Sequence, residues 1–214
     1  MPRAVLFDLD GTLLDTLEDL ADAGNATLAA LGHPTHPVER YKQFVGDGVA
    51  MLVRRALPPG AGDEEFGRAL SVMRGEYEAR LAGKTRPYPG IPELLDALTA
   101  RGVPMAVVSN KPDPFCQTTV CDYFGAWTWG AVLGETERFP RKPDPAGALH
   151  VASALGVAPA DCLFLGDSPM DVRCALNAGM TPVGATWGFR ERHTLEAEGG
   201  RLFIDRPEEL LRFF

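Results

Sequence analysis

The chain has 214 residues, 45% of them hydrophobic and 23% charged, and a formal net charge of −8. That balance excludes long disorder and a generic nucleic-acid binder, whose surface would be basic. No apolar run approaches the roughly 20 residues of a membrane helix, and Met1-Pro2-Arg3 does not open a signal peptide. Cys116, Cys121, Cys162 and Cys174 contain no Cys-x-x-Cys pair, so the expectation is a cytoplasmic protein with reduced thiols.

The first element is Val5-Leu6-Phe7, a buried strand that runs into Asp8-Leu9-Asp10-Gly11-Thr12. Side chains alternate along a strand, so carboxylates two positions apart face the same way if the extended geometry persists. Like charges converging at a strand end need a cation or a shared proton. Magnesium takes carboxylate and carbonyl oxygens and leaves room for a phosphate. One reading is therefore a metal-assisted phosphoryl-transfer site with an aspartate nucleophile. The other is an Asp-rich turn between a strand and a helix.

Leu13 to Leu31 carries leucines near helical spacing, and Gly32-His33-Pro34 stops that helix. Val38 to Phe44 reads as a short helix, and Gly46-Asp47-Gly48 punctuates the chain. Val49 to Leu57 resumes the helical pattern. A further helix runs from Glu64 to about Leu81, capped by Asp63 or the residues before it. Residues 14 to 83 thus show no strand pattern. The texture changes at Arg86-Pro87-Tyr88-Pro89-Gly90. From there helices (Ile91–Ala100, Phe115–Tyr123, the stretch to Leu155, and the one ending at Ala178) alternate with strands. The strands are Met105–Val108, Ala131–Leu133, Cys162–Leu165, Thr181–Ala185 and Leu202–Ile204, with a last helix over Glu208–Phe213. Apolar strands alternating with helices argue an α/β fold, a doubly wound parallel sheet with helices on both faces. The helical block interrupts that alternation, so residues 1–13 and 85–214 form the core and 14–84 an inserted helical domain.

Polar residues follow the strands. Asp8 and Asp10 follow the first, Ser109 and Asn110 the second, and Asp167 and Asp171 a later one, with Lys142 in the crossover before it. Open parallel sheets bind ligands beyond the carboxyl ends of their strands. A carboxylate can attack phosphorus, and a second can protonate the leaving alkoxide and then activate water. Ser109 can hydrogen-bond a phosphate oxygen, and Lys142 adds positive charge where the transferring group is negative. Arg141 stands beside Lys142 as an alternative. Asp167 can help hold the metal, with Asp171 as ligand or support. Each cluster also has a plain reading as a cap, turn or solvated lysine.

Asp8-Leu9-Asp10-Gly11-Thr12, Ser109-Asn110, Lys142-Pro143 and Gly166-Asp167-Ser168-Pro169-Met170-Asp171 resemble, in order and spacing, the four motifs of the haloacid dehalogenase superfamily. The resemblance implies a Rossmann-like core with a helical cap inserted after the first motif. It implies Asp8 as nucleophile, Asp10 as general acid/base, and Mg2+ held by the Asp8 side chain, the Asp10 carbonyl and Asp167. Thr12, Ser109, Asn110 and Lys142 would bind phosphate. The dehalogenases of the superfamily lack the second acid, so Asp10 favours phosphate-ester hydrolysis. The phosphonate hydrolases use a cap lysine, and neither Lys42 nor Lys84 has a matching context.

Phe44-Val45-Gly46-Asp47-Gly48, Tyr88-Pro89-Gly90 and Trp187-Gly188-Phe189 resemble the phosphoglycolate phosphatases more closely. That likeness is shared with pyrophosphatases, nucleotidases and sugar-phosphate phosphatases or phosphomutases of the superfamily. A binding module on an inactive scaffold is the non-enzymatic alternative. Gly46 and Gly48 permit close backbone approach to a ligand. A carboxylate on the substrate would want a cation or backbone donors from the cap, with Lys42, Arg54 and Arg55 nearby. The expected partner is a small phosphorylated metabolite, with no nucleic acid or membrane, in a monomer or homodimer.

Overall fold

A computed structural model describes residues 2–80 and 83–214. In chain order the elements begin with β1 (Ala4–Phe7), β2 (Leu14–Asp15), α1 (Leu17–Ala30), α2 (Val38–Phe44), α3 (Val49–Ala56), α4 (Asp63–Glu78) and β3 (Arg86–Pro87). They continue with α5 (Ile91–Ala100), β4 (Met105–Pro112), α6 (Asp113–Phe124), β5 (Ala131–Glu135), α7 (Ala146–Ala154) and β6 (Cys162–Gly166). Last come α8 (Pro169–Asn177), β7 (Thr181–Ala185), α9 (Arg192–Ala197), β8 (Leu202–Ile204) and a closing 3-10 turn (Pro207–Phe213).

Six strands form a parallel sheet in the order β5-β4-β1-β6-β7-β8. Both faces of the sheet are covered, which is why its strands read as continuous apolar runs. Val5 and Phe7 pack with Leu94, Leu95, Leu98, Val120 and Phe124 on one side. Ala4 and Leu6 face Ala148, Val151, Ala152 and Ala175 on the other. Helices α1 to α4 bury a separate cluster that includes Leu20, Leu28, Tyr41, Leu52, Val53 and Met73.

The chain does not enter this helical unit directly as a helix. β2 pairs antiparallel with β3, Leu14 opposite Pro87 and Asp15 opposite Arg86. Leu13 and Leu14 are buried in the sheet-side core rather than on α1. Their helical spacing is therefore a coincidence of two burial sites, and α1 begins only at Leu17. Asp19 on α1 braces the return path, its carboxylate accepting from the Lys84 and Thr85 amides at 2.8–3.0 Å. The expected end of α4 near Leu81 lies outside the described residues. Gly62, not Asp63, precedes α4. α9 is an addition to the expected elements; six residues are too few for a periodic signal. No helix among the described residues is long and apolar enough to cross a membrane.

Candidate active site

β1 lies between β4 and β6, and the strand order reverses there. Their carboxyl ends open on one crevice, where parallel sheets bind ligands. Asp8, Ser109, Lys142, Asp167 and Asp171 meet in it, all buried.

Asp8 follows β1 directly, and its amide continues the ladder to Leu165 O at 2.9 Å. Its Oδ1 accepts from the Leu9 amide and from Lys142 Nζ, both at 2.7 Å. Among the described residues, these hydrogen bonds to the carboxylate all fall on Oδ1 and none on Oδ2. Lys142 Nζ also reaches Asp171 Oδ1 at 2.7 Å and Val108 O at 3.1 Å. All three ammonium donors are thus engaged. Asp171 Oδ2 accepts from the Ser168 amide at 2.9 Å and Ser168 Oγ at 2.6 Å, closing a capping box on α8. Helix cap and support of the site are one role for Asp171, because its two oxygens serve one each.

Asp167 Oδ2 accepts from the Phe189 amide at 2.7 Å, and Oδ1 from Thr12 Oγ1 at 3.3 Å. Two glycines make room for it. A Cβ on Gly11, which has φ +87°, would stand 2.5 Å from Asp167 Oδ2. One on Gly188 would overlap the Asp167 Cβ.

Asp8, Asp167 and Asp171 each offer an oxygen, all within 4.8 Å of one another. Among the described residues, three carboxylates against the one ammonium that touches them leave two negative charges in a buried space. Burial first, then the Asp171 charge, pushes Asp8 from 3.8 up to about 7, against the pull of Lys142. Burial, then Asp171 and Asp8, pushes Asp167 from 3.8 up to about 8. A divalent cation that prefers hard oxygen ligands matches both the donor set and the missing charge.

The charge excess has a measurable sign. Without metal, the folded protein keeps protons on Asp8 and Asp167 that the unfolded chain has released above about pH 4. The native state therefore binds more protons between about pH 4 and about pH 8, and stability falls as pH rises through that window. In EDTA the thermal midpoint should drop by several degrees between about pH 5.5 and about pH 8. Magnesium should restore most of the loss at the upper pH. A metal-free midpoint that is flat or rising over this range would count against the buried excess.

Asp10 is half-buried, and its carboxylate meets Lys111 Nζ at 2.9 and 3.2 Å. Burial works against the Lys111 charge, but Asp10 and Tyr77 outweigh it and hold its pKa above the ordinary lysine value. Lys111 stands outside the residues singled out from the sequence. Its place directly after Ser109-Asn110 on a strand end was the available signal. A cavity of about 60 Å³ lies between these groups and the helical unit. Asp8, Asp10, Ser109 and Lys111 line it from below, and Leu20, Val45, Val49, Leu52 and Tyr77 from above.

Two candidates are turned to other tasks. Thr12 gives its hydroxyl to Asp167 and its carbonyl to Trp187 Nε1 at 3.0 Å, rather than reaching the cavity. Asn110 lines the cavity, but its amide is spent on backbone. Its Oδ1 accepts from the Lys142 amide at 2.7 Å, and its Nδ2 donates to Lys142 O at 3.3 Å and Gly46 O at 2.9 Å. Loop groups at a strand end lack ladder partners, and this side chain supplies them.

Gly46 and Gly48 do line the cavity. Gly46 belongs to a loop whose successive carbonyls are gripped by the sheet domain. Arg190 holds Val45 O at 2.7 Å, Asn110 holds Gly46 O, and Arg141 holds Asp47 O at 2.7 Å. Arg141 thus goes to the loop and to Glu135, at 3.1 Å, leaving the acidic cluster to Lys142. Gly48, at φ +81°, admits Arg141, whose Nη1 would be 2.8 Å from a Cβ there. The cations expected from the helical unit do not line the cavity. Arg55 pairs with Asp47, Arg54 with Asp63 at 3.0 Å, and Lys42 is exposed.

The haloacid dehalogenase-like hydrolase family matches residues 2–179 of the chain. The chain is 37% identical over 216 residues to Phosphoglycolate phosphatase 1 of Pseudomonas aeruginosa, covering 99% of this chain and 79% of that one. It is 38% identical over 221 residues to the Phosphoglycolate phosphatase of Pseudomonas putida, with the same coverage of 99% and 79%. A crystal structure of a predicted phosphoglycolate phosphatase from Haemophilus somnus superposes with a TM-score of 0.91 at 28% identity, covering 99% and 97% of the two chains.

Proposed function

Because the chain belongs to the haloacid dehalogenase-like hydrolases, and is a phosphatase of that superfamily, we propose that it hydrolyses phosphoglycolate with Mg2+ through an aspartyl-phosphate on Asp8. The observation that carries this reading is the division of labour within Asp8. Lys142 and the Leu9 amide hold Oδ1, Oδ2 accepts from neither, and Asp8 lines the cavity beside Asp10. Names of relatives at 37% and 38% identity supply the substrate.

In this reading Oδ2 of Asp8 attacks phosphorus and the P–O ester bond breaks. Asp10 gives its proton to the departing alkoxide. Asp10 then takes a proton from water, which attacks the aspartyl-phosphate and releases phosphate. Ser109 binds the phosphoryl group, and Lys142, its donors held by Asp8, Asp171 and Val108 O, adds positive charge beside it. Mg2+ would be held by the Asp8 carboxylate, the Asp10 carbonyl and Asp167, and supplies neutralisation of charge on the transferring group. Asp171 fixes Lys142, Thr12 fixes Asp167, and Asn110 ties the Lys142 loop to Gly46. Residues 14–84 act as a cap on a core of residues 1–13 and 85–214. The cap's apolar wall keeps bulk water from the first step.

Phosphate release with magnesium from a panel of phosphoglycolate, pyrophosphate, nucleoside monophosphates and sugar phosphates tests this. Phosphoglycolate should give the highest kcat/KM. A higher value on any of the others would replace the substrate. Retention of the phosphoryl group at saturating sugar phosphate would replace hydrolysis by mutase chemistry. Absence of release from every ester would leave a binding module.

A further inference from the structure

The chemistry above employs Asp8, Asp10, Ser109, Lys142 and Asp167. It leaves one buried cation without a task. Lys111 projects from the end of β4 with a side chain only 3% exposed, yet it lines the cavity. Its Nζ contacts both oxygens of Asp10, at 2.9 and 3.2 Å, and lies 5.1 Å from the centre of the Tyr77 ring on α4. It therefore sits at the seam between the sheet and the helical unit, on the side from which a leaving group departs.

Four facts bear on what Lys111 meets there. It is the one basic side chain among the described residues that line the cavity. Arg54, Arg55 and Arg141 are each committed to an acidic partner outside the lining. The opposite wall, which includes Leu20, Val45, Val49 and Leu52, carries no charged side chain among the described residues. Finally, an ammonium has three donors, shared here between the two oxygens of Asp10 and the Tyr77 hydroxyl, so a ligand carboxylate would take the place of that hydroxyl.

We propose that Lys111 is the specificity-determining residue of this site, and that its ammonium takes the carboxylate of a short phosphorylated 2-hydroxy acid. The assignment rests on the hydrolase reading given above. The ester oxygen must lie at Asp10 to receive its proton. In a 2-phosphooxy carboxylate the carboxyl carbon is two bonds from that oxygen, so the carboxylate falls beside Asp10, where Nζ is. A neutral leaving group would gain nothing from the ammonium, and a longer acid would carry its charge past it. The volume of about 60 Å³ points the same way. At roughly 10–15 Å³ for each water-sized group, such a space suits a small ligand.

The test compares the wild type with Lys111→Met and Lys111→Arg in two measurements. The first is kcat/KM on phosphoglycolate and on ethyl phosphate, which has the same length and no carboxylate. Wild type should prefer phosphoglycolate, and Lys111→Met should lower the ratio of the two values by at least about tenfold, chiefly through KM. Lys111→Arg, which keeps the charge, should retain more of the preference than Lys111→Met. The second is calorimetric titration with glycolate, which needs no turnover. Affinity should weaken by at least about tenfold in Lys111→Met. An unchanged ratio, or equal losses on both esters with glycolate affinity intact, overturns the proposal and leaves Lys111 as a brace for Asp10. Failure of the hydrolase reading looks different. Wild type would then release phosphate from neither ester, and Lys111-dependent glycolate binding would still uphold the carboxylate assignment.

Discussion

Asp8→Asn is expected to lower phosphate release by at least about 10⁴-fold, because the amide oxygen is a poor nucleophile toward phosphorus. The same substitution should leave the fold intact. Asparagine preserves the shape, and its carbonyl can still accept from the Leu9 amide and from Lys142, which reach Oδ1 at 2.7 Å in the native protein. It also removes one carboxylate from a cluster that holds two excess negative charges. Burial and Asp171 already push the Asp8 pKa up to about 7, so its charged form is costly in the absence of metal. In EDTA at about pH 8 the variant should therefore melt at or above the wild-type temperature. This combination separates a nucleophile from a structural carboxylate, whose loss would reduce stability and activity together. Mass spectrometry after quenching with substrate should show a phosphorylated wild type and an unphosphorylated variant. Turnover within about tenfold of wild type would remove Asp8 as the nucleophile.

Lys142→Met should have the largest effect on stability. The ammonium is buried and binds Asp8 at 2.7 Å, Asp171 at 2.7 Å and Val108 O at 3.1 Å. Methionine fills a similar volume and answers none of these groups. Breaking a buried ion pair on one side costs about 3–5 kcal/mol, because the remaining charge is stranded. Here two carboxylates are stranded, and Asp167 adds a third close by. Urea unfolding in EDTA should show a lower midpoint with an unchanged slope. In a domain of this size such a loss lowers the thermal midpoint by about 10 °C. Magnesium should recover part of it by binding the folded state. Activity should be lost with and without recovery, since Lys142 also holds Oδ1 of the proposed nucleophile Asp8. A change below about 1 kcal/mol would show that the carboxylates protonate at little cost and that Lys142 is not their principal counter-charge.

The strands were legible because burial on both faces gives an uninterrupted apolar run, as at Ala4–Phe7 and Cys162–Gly166. The placement of polar residues at their carboxyl ends was legible for the same reason. The ribbon of β2 and β3 was not, because two residues on each side carry no periodicity and the pairing joins positions far apart in the chain. Nor were the separate duties of Ser109, Asn110 and Lys111. Adjacent residues at a strand end point in different directions, and a break in register between Val108 and Pro112 alters the alternation there.

By itself, then, the amino-acid sequence determined the parallel sheet, the inserted helices and the presence of two acids, a hydroxyl, a lysine and further acids at the strand ends. These are local properties, set by burial pattern and by residue type. Only the tertiary structure decided the partners. It put Lys142 between Asp8 and Asp171, turned Thr12 and Asn110 to bracing, sent Arg141 and Arg190 to the loop carbonyls, and left Lys111 beside Asp10. Charge pairing in a buried crevice depends on separations of a few ångströms between segments distant in the chain. The packing of neighbouring strands and of helix on sheet sets those separations.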